Sequence, residues 1–173
     1  MTVCCLRLPP RKLGPMKIYR SALLRFADDG QAIYDSDALL AVAPDAGGVQ
    51  RVVAAGNWQT LAEQYIHREG VEVVNLPGKL LAPGFVDLHI HYPQTDVIGA
   101  PAPGLLPWLE NYTFPHESRF HEREYADAVA EFFMDELQRN GVTTALAFAT
   151  SHPASVDAIM TAAQKRSMRM IAG

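Results

Sequence analysis

The chain has 173 residues, of which 49% are hydrophobic and 20% are charged, a composition typical of an ordinary globular protein. A formal net charge of -4 offers no basic surface for nucleic acid, and no apolar run reaches the roughly 18 residues that a membrane helix needs. We therefore expect a soluble protein that acts on a small molecule.

The opening segment carries the only two cysteines, Cys4 and Cys5. Adjacent cysteines cannot build an ordinary intrachain disulfide framework, so the sequence favours a reducing cytoplasm. The apolar stretch is too short for a secretory signal, and its basic residues follow the apolar ones instead of preceding them. We predict that residues 1–15 are a leader without fold, and a native start at Met16 is a hypothesis that intact-mass measurement would test.

Residues 16–80 predict a small β-sheet or sandwich domain, because short β-prone runs alternate there with Gly-rich turns. One short helix is predicted between the third and the fourth strand, and a turn closes the segment. The predicted strands cover residues 18–26, 38–43, 49–55 and 71–76, the helix covers 60–68, and the turn covers 77–79.

Residues 81–173 predict the start of an α/β fold with strands and helices in alternation. The connection over residues 92–122 is far longer than the usual βα loop of about 2 to 6 residues, which marks it as a functional loop. Three strands do not close a barrel, and a complete barrel takes roughly 250 residues. The predicted strands cover residues 83–91, 142–148 and 168–172, the second of them buried on both faces.

Two amphipathic helices are predicted between these strands. The first ends at Asn140 and Gly141, residues that favour a helix C-terminus. The predicted core face of the first helix carries Tyr125, Val129, Phe132, Phe133 and Leu137, and that of the second carries Val156, Ile159, Met160 and Ala163.

The strongest chemical signal is a His-x-His pair in the strand at residues 83–91, PGFVDLHIH. Regular alternation places Asp87, His89 and His91 on one face of that strand and the apolar residues on the other. The two histidine backbones would lie roughly 6.5 Å apart, close enough for both rings to reach one cation. Two hydrogen-bonded histidines without a metal are the common alternative, and two ligands are fewer than the three of a usual catalytic zinc site.

The PGFVDLHIH segment resembles the first-strand motif of the amidohydrolase superfamily, a group of metal-dependent barrel hydrolases. Within that superfamily the chain is similar to the guanine deaminases over roughly residues 16–173. The more specific part of this resemblance lies in YPQTD at 92–96, LLPWLENYTFP at 105–115, GVTT at 141–144 and FATSH at 148–152. The resemblance implies that residues 81–173 begin a (β/α)8 metal-dependent hydrolase barrel.

The resemblance further implies a Zn²⁺ cofactor held by His89 and His91, and guanine as the substrate. The guanine pocket would include Gln94 and the backbone of His91, Tyr92 and Pro93. A glutamine amide suits a purine edge because it offers both an acceptor and donors. Weaker site candidates are Asp87, as a group that orients a histidine, Trp108, as a stacking residue, and His152, at the end of the second barrel strand.

The implied reaction is hydrolysis of guanine to xanthine and ammonia. In the family a glutamate of a later His-x-x-Glu motif moves the protons, and a further histidine and an aspartate complete the metal shell. None of these is recognised in this sequence. We therefore identify no catalytic residue in the chain and expect that it alone binds zinc weakly and is inactive.

Two alternatives remain open from the sequence. The first is another amidohydrolase that deaminates a different nucleobase or a triazine. The second is a non-catalytic truncated form that binds partners through an unfinished sheet edge. The expected partner is a small purine, with neither nucleic acid nor membrane, and a homo-oligomer stays open.

Overall fold

The computed structural model describes residues 15–173, which form two compact units with the boundary between Pro83 and Gly84. Residues 1–14, which hold both cysteines and nearly all of the predicted leader, lie outside the described residues. None of the helices between residues 15 and 173 combines the length and the hydropathy that crossing a bilayer requires.

The first unit contains a four-stranded sheet and one helix. Its strands, in the spatial order β3-β2-β1-β4, pair antiparallel except for β1 and β4, which are parallel. Among the described residues of this unit there is no second sheet that would make a sandwich. The elements are β1 (Met16–Phe26), β2 (Ala32–Pro44), β3 (Gln50–Asn57), α1 (Trp58–Tyr65) and β4 (Val71–Leu81).

Helix α1 covers the buried face of this sheet. Ile18 and Leu39 are fully buried and pack with Trp58 and Leu61 of the helix. The helix begins directly after β3 because the side chain of Asn57 accepts a hydrogen bond from the backbone N–H of Gln59 at 2.9 Å.

Strand β4 does not end at the predicted turn. Its pairing with β1 breaks after Asn75 and resumes at Leu80, so residues 76–79 form an excursion opposite Ser21. Gly78 has a φ of +69°, a left-handed conformation that favours glycine. This explains why the sequence indicates a turn at this position. The turn is a bulge inside the strand, because strand pairing on both sides outweighs the local preference of Pro77 and Gly78.

The second unit contains three parallel strands in the order β5-β6-β7, with two helices as connections. This confirms the predicted alternation of strands and helices. Helix α4 ends where the sequence indicates, with Asn140 as its C-cap and Gly141 at a φ of +80°. The elements are β5 (Phe85–His91), α4 (Arg123–Arg139), β6 (Val142–Phe148), α5 (Pro153–Lys165) and β7 (Arg169–Ala172), and α2 and α3 lie in the connection between β5 and α4.

That connection is a chain of short helical segments instead of an open loop. Pro93 and Pro115 occupy first-turn positions, where a missing backbone N–H costs nothing. Segments of four to six residues are too short to display a helical period, so the sequence does not reveal them. They are a 3₁₀ turn (Tyr92–Val97), α2 (Leu105–Trp108), a π-helical turn (Leu109–Thr113), α3 (Phe114–Glu117) and a second 3₁₀ turn (Ser118–His121).

The core faces of the second unit differ from the predicted ones at two large residues. Phe132 of α4 is 54% exposed and Met160 of α5 is 42% exposed. The helices instead use small residues for close packing. The buried set is Ala126, Val129, Ala130, Phe133, Met134 and Leu137 of α4, with Ser155, Ala158, Ile159, Ala162 and Ala163 of α5.

Strand β6 is buried on one face, whereas the sequence predicts burial on both. Ala145 and Ala147 lie in the core beneath the helices, and Phe148, which points to the opposite face, is 38% exposed. A continuous apolar run is typical of a strand covered on both faces, and among the described residues only the helix side of β6 is covered.

Gly84 lies so close to β6 that no side chain fits. A Cβ atom there would stand 2.1 Å from Thr143 Oγ1 and 2.3 Å from Thr143 Cγ2. Threonine is stiff at χ1, so it cannot easily rotate away. Gly84→Ala should lower the free energy of unfolding by about 1–3 kcal/mol, measured by urea denaturation.

Gly104 provides the matched control, because nothing lies within 4 Å of the position of its Cβ. Gly104→Ala should leave the urea midpoint nearly unchanged, and Thr143→Ala should partly rescue Gly84→Ala. Equal midpoints for the two alanine variants would contradict the close-approach explanation.

Candidate metal centre

The candidate site lies at the carboxyl end of β5, where the strand contains a β-bulge. Asp87 pairs with Ala145 and Ile90 pairs with Ala147, so two residues of β5 face a single residue of β6. The extra residue, within the pair Leu88 and His89, interrupts the regular alternation of side chains.

The bulge separates Asp87 from the histidine pair, contrary to the prediction that all three share a face. Asp87 and Ile90 lie opposite the buried Ala145 and Ala147, on the helix side of the sheet. His91 pairs with Phe148 on the other side, and the ring of His89 also lies against Phe148. The prediction is wrong for Asp87 because a two-residue period holds only in an uninterrupted strand.

His89 and His91 are brought together by this arrangement. Their ring centroids lie 5.3 Å apart, with an angle of 59° between the ring planes. Phe148 stacks on His91 at 4.6 Å and lies 4.9 Å from the ring of His89. The aromatic ring therefore contacts both imidazoles from one side and restricts their rotation.

Asp87 contacts the backbone of the site instead of a histidine ring. Its carboxylate accepts a hydrogen bond from the backbone N–H of His89 at 3.0 Å. That N–H lies in the bulge, where the ladder is interrupted. Asp87 therefore replaces a missing ladder bond and fixes the backbone that carries His89.

The turn after β5 is anchored by Tyr92, which is fully buried. Its hydroxyl donates to the Ser155 carbonyl at 2.6 Å and contacts Ser155 Oγ at 2.8 Å. Ser155 Oγ also accepts the backbone N–H of Thr150 at 3.1 Å. Burial, more than any neighbouring charge, raises the pKa of Tyr92 to about 12.

Gln94 is the residue of this turn whose side chain reaches the histidines. Its Nε2 lies 3.3 Å from His91 Nδ1 and 3.4 Å from Glu117 Oε1. Tyr92 and Pro93 are buried, and the Tyr92 carbonyl accepts the Thr95 hydroxyl at 2.6 Å. The side chains of Tyr92 and Pro93 therefore face the core and not the site.

The two other weak candidates make no hydrogen bond or aromatic contact with the histidine pair among the described residues. Trp108 is half-buried at the end of α2, and none of the aromatic contacts found between residues 15 and 173 involves it. His152 is the N-cap residue of α5, and its ring lies 5.9 Å from that of His121. His152 also lines a small cavity of about 230 Å³ together with Glu117 and Thr150.

Sequence reasoning misses three residues that shape this site: Phe148, Ser155 and Glu117. Phe148 could have been found, because parallel strands that end together place their last side chains side by side. Ser155 gives no signal, since a serine in the first turn of a helix is ordinary. Glu117 stands among exposed acidic residues in the sequence, yet it is half-buried.

The donor set near the pair is small. Between residues 15 and 173, no three His, Cys, Asp or Glu side chains come together as a metal-binding group. A larger cleft of about 710 Å³ lies between β5 and α4, and Asp87, His89, His91 and Gln94 line it together with side chains of α4. The pair is therefore accessible to a ligand.

The sequence profile of the amidohydrolase family matches residues 80–173, more than half of the chain. The chain belongs to this family, as its resemblance to the superfamily predicts. Guanine deaminase of Escherichia coli (strain K12) is 49% identical over 118 residues, which are 68% of this chain and 26% of that protein.

Solved structures of guanine deaminases also match this chain over most of its length. The crystal structure of guanine deaminase from Bradyrhizobium japonicum matches with a TM-score of 0.79 and 33% identity, over 91% of this chain and 34% of that one. Guanine deaminase from C. acetobutylicum, solved with guanine bound in its active site, matches with a TM-score of 0.76 and 25% identity, over 91% and 36%. The chain thus spans about a third or less of the relatives that it matches.

The buried Tyr92 hydroxyl makes stability depend on alkaline pH. Its pKa of about 12 in the folded chain exceeds the ordinary value of 10.0, so folding favours the neutral phenol. This contribution is complete below about pH 10 and is lost as the pH rises toward 12. Tyr92→Phe should lower the free energy of unfolding by about 1–2 kcal/mol at neutral pH and flatten its decline above pH 10.

Urea denaturation at a series of pH values checks this expectation. Some decline should remain in Tyr92→Phe, because burial also raises the pKa of Tyr125 to about 12. Tyr34, which is 63% exposed, serves as the control, and Tyr34→Phe should retain the parental profile. An unchanged slope in Tyr92→Phe would contradict the assignment.

Proposed function

We propose that the protein containing this chain is a zinc-dependent hydrolase that converts guanine and water to xanthine and ammonia. The observation that carries the proposal is the pairing of the His89 and His91 rings at the end of β5, with the side chain of Gln94 beside His91. The 49% identity to a guanine deaminase supports guanine as the substrate.

The histidine pair fits a zinc ion as two members of its ligand set. Imidazole nitrogen is a usual zinc donor, and the two rings share a face with centroids 5.3 Å apart. We propose His89 and His91 as the ligands. A zinc ion held there would supply Lewis-acid activation of a water molecule.

The other candidate residues would position the ligands and the purine. Asp87 fixes the backbone of His89, and Phe148 limits the rotation of both rings. Gln94 would hydrogen-bond the purine, with the backbone at His91, Tyr92 and Pro93 forming the floor of the pocket. We assign Trp108 and His152 only peripheral roles, because neither contacts the histidine pair among the described residues.

Two imidazoles are fewer than the three protein ligands of a usual catalytic zinc site. Further ligands and the group that moves protons would therefore come from outside residues 15–173. We expect the 173-residue chain alone to bind zinc weakly and to release no ammonia from guanine.

We also propose the larger architecture. Residues 81–173 would form the first units of a (β/α)8 barrel, since β5, β6 and β7 are parallel and joined through helices. Residues 16–80 would form a separate small β domain, and residues 1–15 a leader. A reducing cytoplasm suits the adjacent Cys4 and Cys5.

Zinc binding by the 173-residue chain tests the ligand assignment. His89→Ala and His91→Ala should each weaken zinc binding by about tenfold or more, because each removes one of two ligands. Competition with a chromophoric chelator provides the measurement. His67→Ala is the matched control, because His67 is exposed and contacts Glu63. Equal affinities in all three variants would place the metal elsewhere.

Substrate class is tested on the protein isolated from its own source, with whatever sequence accompanies these residues there. We expect xanthine and ammonia from guanine in the presence of zinc, and at least about a hundredfold lower rates with other aminopurines, aminopyrimidines and aminotriazines. A preference for a triazine or another nucleobase would replace guanine as the substrate and leave the metal assignment intact.

A further inference from the structure

Glu117, at the end of α3, reaches Gln94 from a distant part of the connection. The Gln94 Nε2 atom lies 3.4 Å from Glu117 Oε1 and 3.3 Å from His91 Nδ1, with all three residues shielded in part from solvent. Both contacts use the same end of the amide. The Gln94 Oε1 atom makes no hydrogen bond to any group between residues 15 and 173.

The contact with His91 fixes no direction for the amide, because the ring nitrogen donates or accepts according to its tautomer. The contact with Glu117 does fix a direction. A carboxylate only accepts hydrogen bonds, and the amide nitrogen only donates them. Rotation of the amide by half a turn would place Oε1 beside the carboxylate, where two acceptors repel each other. Glu117 therefore holds Nε2 inward and leaves Oε1 as the end that a ligand can meet.

The exposed end of an amide selects its ligand by hydrogen-bond type. A free Oε1 accepts from N–H groups, and guanine carries such groups on N1 and on its exocyclic amine. Adenine has an acceptor at N1, which a fixed amide oxygen would repel. The site would select guanine over adenine because Gln94 Oε1 and adenine N1 are both acceptors and repel each other.

We propose that Glu117 is a positioning residue that sets the purine selectivity of the site by fixing the orientation of the Gln94 amide. The proposal rests on the proposed function for its choice of ligand. Glu117 also borders the small cavity at the end of β6, so it links that strand end to the turn after β5. Glu117 acts through Gln94 and not on the reacting atoms.

The orientation is tested by NMR on the 173-residue chain. The side-chain amide signals of Gln94, assigned through their absence in Gln94→Glu, should shift and exchange faster with solvent in Glu117→Gln. Glu117→Asp, which keeps the acceptor charge, should restore the parental signals in part. Glu110→Gln is the control, because Glu110 is exposed and its side chain makes no hydrogen bond or ion pair within the described range. Signals that respond equally to Glu117→Gln and Glu110→Gln would overturn the proposal.

Selectivity is measured on the same variants of the whole protein that contains this chain, with zinc present, as the KM for guanine against the inhibition constant of adenine. The guanine-to-adenine affinity ratio should fall by about fivefold or more in Glu117→Gln and stay unchanged in Glu110→Gln. An unchanged ratio in a parental protein that prefers guanine would overturn the role of Glu117 while the proposed function stands. A parental protein that prefers another purine would contradict guanine as ligand, and the amide signals would still decide the role of Glu117.

Discussion

The buried hydrogen bonds between Tyr92 and Ser155 hold the candidate site in place. Both side chains are fully buried, and Ser155 also accepts the backbone N–H of Thr150. The network thus joins the end of β5, the end of β6 and the first turn of α5. Each buried polar atom in it has a partner, so burial adds rigidity without the cost of an unsatisfied group. His91 directly precedes Tyr92, and Gln94 follows it by two residues. The anchored tyrosine therefore fixes the position of both.

The bulge in β5 provides the second constraint, because it decides which side chains meet. Without it, Asp87 would point to the same side as the histidines and its carboxylate would stand near a metal. With it, Asp87 faces α4 and bonds the backbone of His89. An irregular strand next to a functional site is a common way to re-aim a side chain. Here it leaves two imidazoles and an aromatic ring on one face of the strand, with the Asp87 carboxylate on the helix side.

Long periodic elements could be predicted from the sequence, and short or irregular ones could not. The order of strands and helices from β5 to β7 and the end of α4 at Gly141 follow from patterns of apolar residues and caps. The bulge at His89 depends on pairing with a distant strand, which no local pattern records. The proximity of His89 and His91 survives this error because both sit at or beyond the bulge. The contact of Glu117 with Gln94 spans 23 residues of sequence, so only the fold reveals it.

The burial of the turn after β5 concentrates recognition in a single side chain. Tyr92 and Pro93 point into the core, and the Thr95 hydroxyl donates to the Tyr92 carbonyl. Gln94 is thus the one member of residues 92–95 whose side chain keeps a polar atom, Oε1, without a hydrogen-bond partner among the described residues. One amide has two chemically opposite ends of nearly the same shape, so shape alone cannot fix its preference. A neighbouring charge can fix the orientation of the amide, because it attracts the donor end and repels the acceptor end. Glu117 is the carboxylate that contacts this amide.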